Sequence, residues 1–137
     1  MNTLDLHVDI KSSSRYPVNR DAIRSTIKSL LQNRRVSGRV LVSVSVCGDR
    51  KMKSINKQYR QKDYAADVLS FPTYDPTQQL NDEGFAQAEE LGLALGDIVI
   101  SYPQAIKKAS EKNRYLDDVV NQLVEHSMLH LLGIHHD

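Results

Sequence analysis

The stretch Val40-Leu41-Val42-Ser43-Val44-Ser45-Val46 decides the fold class. Valine returns at every second position, which is the period of a strand with one buried face. Gly48-Asp49 ends it, and Asp49 is placed to cap a following helix. Upstream, Gly38 marks a turn, and Ile23, Ile27, Leu30 and Leu31 form an apolar stripe at helical spacing. Pro17 and Asn19 announce the start of that helix. Further back, Leu4, Leu6, Val8 and Ile10 alternate with Asp5, His7 and Asp9, predicting another strand.

Downstream, Met52, Ile55 and Tyr59 form the apolar face of a short helix. Its other face carries Arg50, Lys51, Lys53, Lys57 and Arg60, and Lys62 follows. Asp67 to Phe71 reads as a compact strand stopped by Pro72. From Thr73 to about Leu95 no period is visible, and Pro76, Asn81, Asp82 and Gly84 mark a long loop. Ile98, Val99 and Ile100 read as a buried strand. A helical region then runs from Pro103 to about Leu132. The order predicts an α/β (α+β) fold in which a small mixed sheet is covered by helices. Residues 1–137 are expected to form one domain, with neither repeats nor a second unit.

Composition narrows the class further. Hydrophobic residues make up 40% and charged residues 26%, which excludes a disordered or membrane-embedded chain. No apolar run approaches the roughly 20 residues that span a bilayer. The start, with Asp5 and Asp9 and no apolar core, is unlike a signal peptide, so a cytoplasmic protein is expected. Cys47 is the one cysteine, so no internal disulfide forms. It reads as a small core residue rather than a nucleophile. A net charge of +1 leaves a nucleic-acid partner undecided. The tyrosines are too dispersed along the chain to define a base-stacking surface.

The chemistry is concentrated in the last helix. Leu116, Val119 and Leu123 share a helix face, and the same stripe leads to His126 and His130, expected to point inward against the sheet. Gly133 can end the helix in a left-handed turn and return the chain so that His136 joins them. Two histidines at i and i+4 plus a third after a glycine match a catalytic zinc arrangement with an open position. Zinc held in this way brings the pKa of its bound water to about 7. His135 is the alternative third ligand, although His136 fits the spacing better. Three imidazoles suit zinc, and would also bind nickel, cobalt or copper.

These residues resemble the YbeY family of bacterial rRNA maturation factors. The family signature His-Gly-x-Leu-His-Leu-x-Gly-Tyr-Asp-His is matched by His126-Ser-Met-Leu-His130-Leu-Leu-Gly133-Ile-His-His136. Two more family stretches appear in order, as Asn56-Lys-Gln-Tyr59-Arg60 with Ala66-Asp67-Val-Leu-Ser70-Phe71-Pro72, and as Leu95-Gly96-Asp97-Ile98. Ser127, Ile134, His135 and Ala66 depart from the pattern, but none removes a proposed ligand. Family members often continue beyond the position of Asp137, so this is a short member or a truncated one.

The resemblance implies a zinc-dependent, single-strand-specific endoribonuclease acting in the cytoplasm. It implies 16S rRNA 3′ end processing and ribosome quality control, with precursor rRNA and the ribosome or its small subunit as partners. It makes His126, His130 and His136 the ligands of one zinc ion and Arg60 a functional arginine that binds phosphate or stabilises charge on phosphorus. The basic helix would grip the RNA backbone, although most of its lysines read as a solvated face. Asp67 and Asp97 are candidates for orienting a metal-bound histidine, with capping or turn chemistry as the alternative. Ser70 and Asn56 fit buried hydrogen bonding better than substrate contact.

Two other functions compete. A metallopeptidase would place Glu directly after the first histidine, where this chain has Ser127. A non-catalytic ribosome-assembly or RNA-binding factor would use the zinc structurally, with Asp137 closing the fourth position.

Overall fold

The alternating valines form the second strand of a four-stranded mixed sheet, in a computed structural model that describes residues 3–73 and 92–134. The elements run β1 (Leu4–Lys11), α1 (Arg20–Asn33), β2 (Gly38–Cys47), α2 (Asp49–Arg60), β3 (Val68–Pro72), β4 (Leu93–Ser101), α3 (Tyr102–Lys112) and α4 (Leu116–Leu131). The sheet order is β1-β2-β4-β3. The first two pairings are parallel and β3 joins antiparallel, which leaves β3 as an edge strand. Its terminal Pro72 suits that edge, because proline cannot donate to a ladder.

The period-two pattern assigns the two faces. On one, Val40, Val42, Val44, Leu95, Ile98 and Ile100 join the apolar stripes of α1 and α4 in the main core. On the other, Cys47, Met52 and Leu69 form a smaller core with Ile55, Phe71 and Val99 around it. Helix α2 therefore covers the opposite side of the sheet from α4, and both flank β3.

Gly96 sets how closely α4 approaches. A Cβ there would lie 2.6 Å from the Leu131 Cδ2 and 2.6 Å from the Phe71 carbonyl oxygen. The register also slips here. Leu41 faces Ala94 and Val42 faces Gly96, so Leu95 is an extra residue in β4.

Several boundaries follow local chemistry. Asn19 caps α1, its side chain accepting from the Ala22 N–H at 3.0 Å. Asp49 is not the cap of α2; Gly48 holds that position. The Asp49 carboxylate instead accepts from the Ser101 hydroxyl at 2.8 Å and the Gln104 amide at 3.1 Å, tying α2 to the start of α3. The helical region after Pro103 is two helices rather than one. Asn113 takes a left-handed conformation at φ 52, and the Arg114 N–H closes back on the Ala109 carbonyl. Most of the expected loop, residues 74–91, lies outside the described residues, as do His135, His136 and Asp137. No helix among the described residues is long and apolar enough to cross a membrane.

Candidate active site

Helix α4 buries Val119, Val120, Leu123, Val124, Ser127, Met128 and Leu131. His126 and His130 are exposed, so the expectation that they point inward is corrected. The reason is helical drift. With 3.6 residues per turn, the buried stripe passes from Leu123 to Ser127 rather than to His126. The two histidines stand at the edge of that stripe, where they meet solvent and still lie one turn apart. Their ring centroids are 4.7 Å apart, with planes inclined by 48°. Gly133 then adopts φ 78, and the N–H groups of Gly133 and Ile134 bond to the carbonyls of His130 and Leu129. This is the predicted helix stop, and it turns the chain at the histidine end.

The histidine edge opens onto a cavity of about 300 Å³. Its walls come from β3 (Val68, Leu69, Ser70), α4 (Leu123, His126, Ser127, His130) and two basic residues, Arg60 and Lys108. Arg60 is the last residue of α2, on the far side of the sheet. Its guanidinium reaches round the β3 edge and donates to the Ser70 carbonyl at 3.3 Å. The edge strand thus supplies an acceptor that holds Arg60 beside the histidines. A guanidinium has five N–H donors in a planar fork, so donors remain for an anion in the cavity.

The acidic candidates separate. Asp67 lines the cavity with the histidines, and its Oδ2 accepts from Lys108 at 3.2 Å. Asp97 lines a different depression with His7, Asp9 and Ser43, on the sheet face turned away from α4. Glu125 lines a third, with Ser25, Thr26 and Ser29 of α1. No carboxylate on α4 therefore reaches the His126 cavity where a metallopeptidase would need one. Asn56 is 1% exposed and donates to the Tyr64 carbonyl at 2.9 Å, which is structural anchoring.

The basic face of α2 divides as well. Arg50, Lys53 and Lys57 line a separate depression with Asp49 and Asp63, and Lys53 pairs with Asp63 at 3.8 Å. Only Arg60 of that helix lines the histidine cavity. Lys108 is the neighbour that the sequence did not disclose. It comes from α3, whose packing beside α2 and α4 no local pattern announces. Cys47 is buried, and that burial pushes its thiol pKa up, with Lys51 opposing and Asp49 adding a little. This is a core thiol rather than a nucleophile.

Among the described residues no three His, Cys, Asp or Glu side chains gather as a metal set. His126 and His130 nevertheless fit the first half of one. They are two solvent-accessible imidazoles on adjacent turns, of the donor chemistry that borderline metals such as zinc prefer.

A small mixed sheet whose edge strand lies between a helix-borne imidazole pair and an arginine reaching round from the opposite face defines a small α+β protein with one polar cavity at that edge. The chain belongs to the YbeY family: the family model described as "Endoribonuclease YbeY" matches residues 8–137. Relatives of that name include one from Alkaliphilus oremlandii, 44% identical over 96 residues, covering 70% of this chain and 58% of the relative. One from Alkaliphilus metalliredigens is 40% identical over 95 residues, covering 69% and 57%. One from Thermoanaerobacter sp. is 35% identical over 123 residues, covering 85% and 74%. The chain thus spans less than three-fifths of the two Alkaliphilus proteins. The solution structure of a Thermotoga maritima protein superposes with a TM-score of 0.57 at 20% identity, covering 96% of this chain and 75% of that one. At that identity the likeness speaks for the fold.

Proposed function

We propose that this protein is a zinc-dependent endoribonuclease that cuts single-stranded RNA in the cytoplasm. On this reading it acts in rRNA maturation, at the 16S rRNA 3′ end, and in ribosome quality control with the ribosome or its small subunit as partner. The observation that carries the reading is the shared cavity of His126, His130 and Arg60, in a chain whose named relatives are endoribonucleases.

His126, His130 and His136 would hold one zinc ion. When bound, zinc supplies a Lewis acid for a phosphoryl oxygen and an acidified water at neutral pH. Arg60 binds a non-bridging oxygen of the scissile phosphate through the donors not given to Ser70 and stabilises the charge that builds there. The Ser70 carbonyl fixes the direction of the guanidinium, so that little ordering remains when RNA arrives. Lys108, held by Asp67, sets an ammonium donor at the same wall, its charge balanced by that carboxylate.

The test uses the full chain with its metal content measured by elemental analysis, assayed on end-labelled RNA as a single strand and as a duplex of the same sequence. About one zinc per chain and cutting confined to the single strand are expected. Zinc binding with no RNA cutting would favour the assembly-factor reading, and cutting of casein instead would favour a peptidase.

A further inference from the structure

The histidine cavity continues into a larger depression of about 500 Å³, which shares Arg60, Asp67, Val68, Leu69 and Lys108 with it. Beyond that shared wall the lining includes Lys62 and Tyr64 from the segment after α2, and Lys107, Glu111 and Lys112 from α3, so cations outnumber the one added carboxylate. Tyr64 is 54% exposed, a large apolar ring left facing solvent in a cationic groove. Among the described residues, Lys62, Lys107 and Lys112 enter no ion pair.

A groove of net positive lining with an exposed aromatic ring has the makings of a single-strand nucleic-acid platform. Lysines track the phosphates, and a base stacks on the ring without regard to its identity. A duplex has no unstacked base to offer. The Tyr64 ring is dispersed in sequence from α3, and only the fold brings it beside Lys107 and Lys112. The ring itself is not needed for the local structure, because Asn56 anchors this loop through the Tyr64 backbone carbonyl.

We infer that the groove of Tyr64, Lys62, Lys107 and Lys112 is a binding subsite for the single-stranded nucleotides flanking the phosphate held at Arg60, with a base stacked on Tyr64. This rests on the endoribonuclease reading and adds to it a residue that holds the strand without entering the chemistry.

The test is equilibrium binding of a fluorescein-labelled single-stranded RNA 12-mer to the full chain in chelator, so that binding is read without cleavage. A blunt-ended two-strand duplex of the same sequence serves as control. Tyr64→Ala is expected to weaken single-strand binding about tenfold and leave duplex binding unchanged, while Tyr64→Phe binds as the wild type does. Lys107→Ala with Lys112→Ala is expected to lower the slope of log K against log salt by about 1.4, for two phosphate contacts at about 0.7 each. Unchanged unfolding midpoints would show that the variants are folded. If the wild type binds and these variants bind equally well with the same salt slope, the subsite is refuted while the enzyme reading stands. If the wild type binds no single-stranded RNA in chelator, the subsite is refuted, and the enzyme reading is then decided separately by cleavage with zinc restored.

Discussion

Helices α2 and α4 flank the same edge strand and are anchored very differently. Helix α4 buries seven of its sixteen residues, all within or beside the main core. Helix α2 buries two of its twelve, Met52 and Asn56, against a small cluster. Each nevertheless delivers a group to one cavity, the histidines from α4 and Arg60 from α2. The histidine half of the candidate site is therefore built on the most deeply packed helix, where a fully buried Leu or Met side chain contributes about 1.5–3 kcal/mol. The arginine half is built on a lightly held one, and Arg60 has its own tether at the Ser70 carbonyl.

The largest effect should come from α4. Leu131→Ala removes a side chain with 0% exposure that packs at Gly96, and is expected to cost about 2–5 kcal/mol by urea denaturation. A cost below about 1 kcal/mol would mean that α4 is not the stronger anchor. Next, Arg60→Ala should lower kcat/KM on RNA about 10²–10³-fold, the range found when one transition-state donor is removed. Zinc content and unfolding midpoint should not change. Loss of the metal along with activity would remove the division of labour between the two helices.

Met52→Ala should cost about 2 kcal/mol, the low end for a core deletion, because its cluster is small and open to collapse. It should also free Cys47, the thiol beneath α2, whose raised pKa keeps it protonated and slow to alkylate at pH 8. Alkylation through local opening of α2 is expected to quicken about tenfold or more in this variant. An unchanged rate would show that α2 opens only with the whole molecule. The smallest effect is Lys108→Met. Its pair with Asp67 is more than a third exposed and solvent-screened, so less than about 1 kcal/mol of stability is expected to be lost.

Much of this was legible in the sequence for a physical reason. Strand and helix periods are local, so Val40–Val46 and Ile23–Leu31 announced their elements and buried faces without reference to the rest of the chain. Asn19 and Gly133 likewise carried their cap and stop in their own side-chain chemistry. Legibility ended where position depends on neighbours distant in sequence. The inward histidine face was misplaced because a stripe extended by three residues instead of four drifts off a helix face. Tyr59, assigned to the apolar side of α2, is 62% exposed and meets Phe71 only edge-on, 5.5 Å between centroids. The break at Asn113 was hidden by helix-compatible residues on both sides. Lys108 and Tyr64 reach the site only through the packing of α3 beside α2, which no period encodes.

The most direct test of the site takes zinc-loaded protein and labelled single-stranded rRNA, with and without chelator, beside His130→Ala. If RNA is cut at the His126–His130 edge, the wild type cleaves, cleavage disappears with either the chelator or the substitution, and His130→Ala stays folded. Cleavage that survives both would contradict it, since the His126–His130 edge would then not be where RNA is cut.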